Sequence, residues 1–139
     1  MVVPPWQVAQ LRSPEGDTVA RFRTDCSSLL GDSRFPGALW VKVDPPNMDN
    51  LDALLSELDA IEDAVMGIVE GEHGGRLLVT LTGAGSRDLV FAVQGRGNQL
   101  LQAIGAVSAT RGNCLHASLY PEQRFGPYQA LLNASARAI

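Results

Sequence analysis

The middle of this chain carries an apolar stripe at helical spacing, and this stripe limits the folds open to the chain. The stripe recurs every three or four residues: Leu51, Leu54, Leu55, Leu58, Ile61, Val65 and Val69. Asn47 or Asp49 can cap such a helix, and Gly71 can end it. Directly before it, residues 38–44 alternate with the two-residue period of a strand. The sequence therefore predicts a strand followed by a long amphipathic helix.

The helical spacing of three or four residues and the two-residue period of strands both recur up to residue 120. Strands are predicted at 76–82, 87–94 and 114–120, and a second helix at 100–107. The order strand, helix, strand, strand, helix, strand predicts an α+β fold of the ferredoxin-like split βαβ type, an antiparallel sheet with two helices on one face. Alternation turns one set of side chains toward those helices: Leu39, Val41, Val43, Leu77, Val79, Leu81, Leu89, Phe91, Val93, Leu115, Ala117 and Leu119.

With 139 residues, 45% of them hydrophobic, the chain is long enough for one domain with its own core. We divide it into an N-terminal β-hairpin and loop (1–37), the ferredoxin-like core (38–120) and a C-terminal extension (121–139) with a short helix opened by Pro127. The hairpin is expected to belong to the fold, because its side chains are too apolar for a free tail.

Composition excludes some classes of partner. The net charge of −4 and the pI near 5.0 make nucleic acid unfavourable, because neutralised phosphates supply most of that affinity. Neither a signal peptide nor an apolar run of about 18 residues is visible, so a cytoplasmic protein without a membrane span is expected. Cys26 and Cys114 are then expected to stay reduced.

Negative charge concentrates on the first predicted helix. Residues 49–72 contain eight acids and neither Lys nor Arg. One interpretation is a solvated helix face. The other is an acidic docking patch, carried by Asp52, Asp59 and Asp63, for a protein with a basic surface.

Helical geometry separates Glu62 from the other acids. At about 100° per residue, Glu62 lies roughly 40° from Leu58, inside the apolar stripe, so we expect it to be buried. A buried carboxylate must be hydrogen-bonded, paired with a cation or protonated. Arg76 and Arg96 are the expected partners, whereas Arg87 is expected at the far end of its strand. A structural pair is favoured over a catalytic acid, because no companion base or nucleophile is visible.

The sheet face opposite the helices is predicted to be mixed in character. Alternation places seven side chains there: Trp40, Lys42, Thr80, Thr82, His116, Ser118 and Tyr120. Either the N-terminal hairpin or a second subunit packs on this face, or it binds a small ligand or peptide. The candidate binding residues are Trp40, Lys42, Thr80, His116 and Tyr120. An RNA-binding sheet would need stacked aromatic side chains and a positive field, and the sequence offers little of either.

No catalytic, metal or cofactor motif is recognisable. Cys114 and His116 share a strand face, but two ligands are too few for zinc and nothing orients them as a nucleophile pair. The glycine-rich segment 71–75 follows a helix instead of opening one and holds no Lys, so it predicts a turn. We therefore expect no metal and no cofactor, and the sequence does not favour an enzyme.

Three segments together resemble a bacterial family catalogued as domain of unknown function 695. They are residues 37–44 (GALWVKVD), 58–65 (LDAIEDAV) and 76–93 (RLLVTLTGAGSRDLVFAV). Their order and spacing cover most of the chain and include an early tryptophan, here Trp6. The family's distant similarity to the protein regulators of RNase E activity, of the regulator B type, implies a binding role.

These patterns lead to one hypothesis and one alternative. The hypothesis is a non-enzymatic protein-interaction or regulatory module, whose candidate partners are a protein with a basic surface and a second copy of the chain. The alternative is a small-molecule-binding protein or enzyme that uses the sheet face opposite the helices. A concave pocket on that face would favour the alternative.

Overall fold

Six strands and three α-helices make up most of the part of the chain that the computed structural model describes, residues 6–14, 16–45, 50–83, 85–94 and 97–137. In chain order they are β1 (Trp6–Ser13), β2 (Gly16–Arg23), β3 (Gly37–Val43), α1 (Leu51–Met66), β4 (Arg76–Gly83), β5 (Ser86–Val93), α2 (Gly97–Thr110), β6 (Leu115–Tyr120) and α3 (Gly126–Arg137). A 3-10 turn, Ser27–Leu29, lies between β2 and β3, and a π-helical segment, Gly67–Glu72, extends α1. No helix in these ranges is long and apolar enough to span a membrane.

Helix α1 follows the apolar stripe of the sequence. Its N-cap is Asn50, whose Oδ1 accepts a hydrogen bond from the Ala53 amide at 2.7 Å. The caps expected from the sequence, Asn47 and Asp49, lie outside the described residues. The buried side of the helix and its π-helical extension carries Leu58, Ile61, Glu62, Val65 and Val69.

All six strands form one antiparallel sheet in the order β1-β2-β4-β5-β3-β6. The arrangement differs from the four-stranded sheet that the sequence predicts, because the N-terminal hairpin extends the sheet at an edge. Residues 19–22 of β2 pair with residues 79–82 of β4. This pairing satisfies backbone groups that the edge of β4 would otherwise leave without partners.

The sheet is apolar on both faces, and each face packs its own core. Helices α1 and α2 cover the first core, whose buried residues are Leu39, Val41, Val43, Leu58, Ile61, Val65, Val69, Leu77, Leu89, Phe91, Val93, Leu100, Ile104, Cys114 and Leu115. Helix α3 and the β2–β3 connection cover the second core, whose buried residues are Ala20, Phe22, Cys26, Phe35, Ala38, Leu78, Val79, Val90, Ala92, Phe125, Tyr128 and Leu131. The expectation that the hairpin packs over the second face is therefore wrong, because the hairpin joins the sheet edge and the C-terminal helix lies on that face. Packing of a second subunit on the exposed part of the face stays a prediction.

Strand β4 contains a β-bulge. Leu77 pairs with Phe91, and the next pair along the ladder is Val79 with Val90, so Leu78 is the extra residue. An extra residue reverses the face on which every later side chain of the strand lies, because side chains alternate with a period of two.

Because of the bulge, four side chains lie on the face of the sheet opposite to the one that simple alternation predicts. Val79 and Leu81 pack in the second core and not against α1 and α2. Thr80, a predicted binding residue of the second face, is instead buried on the helix side, 3% exposed. Thr82 also lies on the helix side, where its hydroxyl accepts a hydrogen bond from Arg87 Nε at 2.8 Å.

We predict that shortening Phe22 to Ala destabilises the whole domain, because Phe22 on β2 is buried in the second core. Loss of a buried phenylalanine side chain costs ~3–5 kcal/mol of unfolding free energy. Val8→Ala in the same hairpin is the control, since Val8 is 69% exposed and exposed positions change stability by about 0.5 kcal/mol or less. Urea unfolding of both variants measures the difference. An equal effect of the two substitutions would mean that the hairpin is an appendage.

Candidate functional site

The carboxylate of Glu62 lies between two arginines. Glu62 is 5% exposed and sits where the helical spacing places it, on the buried side of α1. Arg21 Nη2 donates a hydrogen bond to its Oε2, and Arg87 Nη1 donates one to its Oε1 at 2.9 Å. Arg87 is also buried, and it binds Asp59 Oδ1 and Thr82 Oγ1 at 2.8 Å. Each buried charge thus faces an opposite charge, which offsets the cost of its desolvation.

The partners of Glu62 differ from those expected. Arg76 donates to the Gly75 carbonyl, and Arg96 lies outside the described residues. Arg87 was expected at the far end of its strand, yet its long side chain reaches Glu62. Arg21 was missed because the hairpin was not expected to join the sheet. The signal for it was the alternation within β2, whose charged positions flank the buried Ala20 and Phe22.

Trp6 of β1 connects the hairpin to the same cluster. The guanidinium carbons of Arg21 and Arg23 lie 4.8 and 5.5 Å from the centre of its ring, within cation–π range. Arg23 also pairs with Asp25 at 3.0 Å and approaches Glu70 of the π-helical segment at 3.7 Å. The hairpin is therefore held against the helix layer by charged and aromatic contacts.

Beyond this cluster, two valines on the helix side of the hairpin are exposed. Val8 pairs with Arg21, and Val19 pairs with Thr82, so both valines lie on the helix side of the sheet. Neither is covered, since Val8 is 69% and Val19 is 46% exposed.

Helix α1 carries two exposed leucines. Leu51, Leu55 and Glu62 are spaced by four and seven residues, so they lie along one side of α1. Glu62 fixes that side as the one that faces β2. We call the surface formed by Val8, Val19, Leu51 and Leu55 the hairpin ledge.

The predicted acidic patch borders the hairpin ledge. Asp52, Asp59 and Asp63 are spaced by seven and four residues, which places them on the neighbouring stripe of α1, and all three are exposed. Asp59 is partly neutralised by Arg87. Among the described residues, Asp52 and Asp63 form no ion pair.

The aromatic residues predicted to bind on the second face have partners within the chain. Trp40 is half-buried against the second core, and its indole Nε1 donates to the Arg124 carbonyl at 2.9 Å. The Arg124 guanidinium carbon lies 4.4 Å from the centre of the Tyr120 ring. The segment that leads into α3 therefore occupies the surface offered by both aromatic side chains.

The other members of the predicted face form a polar row at its uncovered end. Asp88 of β5 pairs with Lys42 of β3, and Lys42 pairs with His116 of β6. Burial raises the pKa of the Asp88 carboxyl, and the nearby Lys42 charge partly opposes this shift. Lys42 and His116 are exposed. Of the five predicted binding residues, Trp40, Lys42, His116 and Tyr120 thus share one face, and Thr80 does not.

A depression of about 400 Å³ lies elsewhere, between the end of the π-helical segment and the start of α2. Its lining consists of Glu72, His73, Gly74, Val93, Gln94, Gln99 and Leu100. The predicted turn at 71–75 supplies one wall, where Gly74 has a positive φ of 69°. The polar side chains Glu72 and Gln94 are exposed at the rim, so the depression brings together no buried group suited to catalysis among the described residues.

Cys26 and Cys114 are free thiols, and both are buried. Burial raises the pKa of both thiols, that of Cys26 to about 11. In the described part of the chain, no group of three or more His, Cys, Asp and Glu side chains is placed to hold a metal ion.

Comparison with known proteins gives no family to which this chain can be assigned. No protein-family model matches the chain, and no curated protein matches it at a significant level.

We predict that Glu62→Gln destabilises the protein even though Gln has the same shape. Gln cannot neutralise the buried Arg87, and removing one partner of a buried ion pair costs ~3–5 kcal/mol. Combining Glu62→Leu with Arg87→Met should recover most of this loss, since apolar replacements of a buried pair are often nearly neutral. Urea unfolding of Glu62→Gln measures the loss, and that of Glu62→Leu alone, Arg87→Met alone and the double variant measures the coupling between the two positions. Strictly additive costs would show that the two side chains act independently.

Alkaline pH should destabilise the folded state through Cys26. The pKa of this thiol is about 11 in the folded protein and ~8.5 in an unfolded chain. Its contribution to stability is complete below the unfolded pKa and is lost as the pH rises through the folded pKa. We expect the free energy of unfolding to fall between about pH 9 and pH 11, and to fall less steeply in Cys26→Ala. Identical slopes for the two proteins would assign the loss to other groups.

Proposed function

We propose that the protein is a non-enzymatic protein-interaction module whose hairpin ledge binds a segment with apolar residues on one side and basic residues beside them. The observation that carries this proposal is the distribution of exposed hydrophobic residues. Among the described residues, all five exposed large hydrophobic side chains lie on the N-terminal hairpin or the first turns of α1: Val8, Leu11, Val19, Leu51 and Leu55.

Clustering distinguishes four of them, the hairpin-ledge residues, from ordinary surface leucines and valines, whereas Leu11 lies on the other face of the sheet. Single exposed apolar residues are common on proteins, but a grouped set beside polar residues is typical of an interaction surface. Leu51 is 67% exposed, although the buried side of α1 begins only two turns later, at Leu58. Burial of such side chains by a partner would contribute about 25 cal/mol per Å² of apolar area.

Charge favours a basic partner. Asp52 and Asp63 border the hairpin ledge without an ion-pair partner in the described part of the chain. The two nearest arginines, Arg21 and Arg87, already bind Glu62. A lysine or arginine at the edge of the bound segment would therefore meet free carboxylates, which supports specificity and fast association more than raw affinity.

The same proposal includes a specific fold type and a family for the chain. We propose that β3, α1, β4, β5, α2 and β6 form a ferredoxin-like split βαβ unit, supported by the local strand order β4-β5-β3-β6. The resemblance to domain of unknown function 695 and its implied link to regulators of RNase E supports a regulatory binding role by analogy. The resemblance therefore favours a binding module, and the acidic residues beside the hairpin ledge favour a basic segment as its partner.

Two designed peptides test the proposal. One is an amphipathic helix of leucine and lysine, and the other is its leucine and glutamate twin, each labelled for fluorescence anisotropy. We expect only the lysine peptide to bind, with an affinity that falls as salt is raised. Replacing Asp52 and Asp63 with Asn, or Leu51 and Leu55 with Ser, should weaken binding about tenfold.

Glu72→Gln provides the matched control, because Glu72 is an exposed acid away from the hairpin ledge. This variant should bind the lysine peptide as the unmodified protein does. Equal binding of both peptides, or an equal effect of Glu72→Gln and the Asp52 and Asp63 substitutions, would contradict the proposal.

A further inference from the structure

The outer strand of the hairpin has a free edge. Strand β1 occupies one end of the sheet and pairs only with β2 among the described strands. In an antiparallel strand, alternate residues direct their N–H and C=O groups away from the neighbour. No other described strand pairs with this row of groups along β1, and proteins usually protect an unpaired row.

The usual protection is missing from β1. Its sequence, WQVAQLRS, contains no proline, no acid and a single basic residue, Arg12, near its end. Its eight pairs with β2 run without a register shift, so no bulge turns the edge away. Val8 and Leu11 are exposed on its two faces. Strand β6, at the other end of the sheet, is shorter, and its leucines are buried or half-buried.

We propose that β1 pairs antiparallel with β1 of a second copy of this chain, so that the two sheets become one. A two-fold axis normal to the sheet keeps the helix side of both copies together. Residues that lie directly opposite each other must then be on the same face of the joined sheet. Because side chains alternate along each strand, the two residue numbers of such a pair must both be odd or both be even. If all of residues 6–12 pair with residues 6–12 of the second copy, Ala9 lies opposite Ala9 and the two-fold axis passes between them.

Charge complementarity supports a second copy as the partner in this register. Arg12, the only charge on β1, lies opposite Trp6 of the second copy and far from the other Arg12, because the strands run in opposite directions. A guanidinium beside an indole is favourable, whereas like charges directly opposite each other are destabilising. Val8 lies opposite Gln10, and Leu11 lies opposite Gln7, so both exposed apolar side chains gain cross-strand neighbours.

Analytical ultracentrifugation of the full chain from ~1 to ~100 µM tests the association. We expect a species of twice the chain mass of 14.8 kDa. Val8→Lys should shift it to a monomer, because the introduced ammonium group would lie diagonally across from Arg12 of the second copy and from its own counterpart. Val19→Lys is the matched control, since Val19 lies on the same sheet face but one strand away from the edge. A monomeric unmodified protein, or a dimer that Val8→Lys leaves intact, would overturn the proposal.

Cysteine crosslinking tests the register without depending on the stability of the lysine variants. Ala9→Cys places two thiols opposite each other at the axis, where Cα atoms are ~4.5–5.5 Å apart and can form a disulfide. Leu11→Cys places them too far apart. The native thiols of Cys26 and Cys114 are buried and should not compete. Oxidation should give a covalent dimer with Ala9→Cys alone. No crosslink, or equal crosslinking of both variants, rejects this pairing.

Discussion

A sheet that is apolar on both faces has to be covered twice, and the architecture of this protein follows from that requirement. Helices α1 and α2 cover one face, and α3 with the β2–β3 connection covers the other. Strand β4 contributes to both cores, because the bulge places two consecutive side chains, Leu78 and Val79, on the same face, in the second core. Tyr128 shows how complete the second layer is, since it is fully buried and burial raises the pKa of its hydroxyl.

Where the helix layer ends, electrostatic contacts take over from apolar packing. Glu62 stands at this border and binds Arg21 from the hairpin and Arg87 from the main sheet. The same carboxylate thus connects three elements that are distant in sequence. Outside it Val8 and Val19 on the helix side of the hairpin are uncovered, which leaves the hairpin ledge and the edge of β1 available to partners.

Local periodicity was enough to predict the helices, the strands after residue 38 and the hairpin, because these depend on contacts between near neighbours in sequence. Periodicity also placed Glu62 on the buried side of α1. It could not place the hairpin in the sheet, because residues 19–22 and residues 79–82 are about sixty positions apart and either strand could have found another partner. A bulge leaves no clear mark in the apolar run Leu77-Leu78-Val79, so the position of Thr80 was wrong. The covering of the second face by α3 was not predicted. The apolar residues of α3 span a short stretch of sequence, and such a stretch is equally consistent with a C-terminal extension that covers nothing.

The order of the strands has a consequence for how the chain is made. The central strand β3 pairs with β5 and β6, and the face that α3 covers is completed by the last described residues. Ribosomes add ~5–20 residues per second, so several seconds separate the synthesis of β3 from that of β6 and α3. Until β5 is made the nascent chain holds an apolar strand with both neighbours missing, and until β6 is made one neighbour is still missing. The native fold therefore closes only after α3 has been synthesised, and until then the exposed surface is of the kind that chaperones bind.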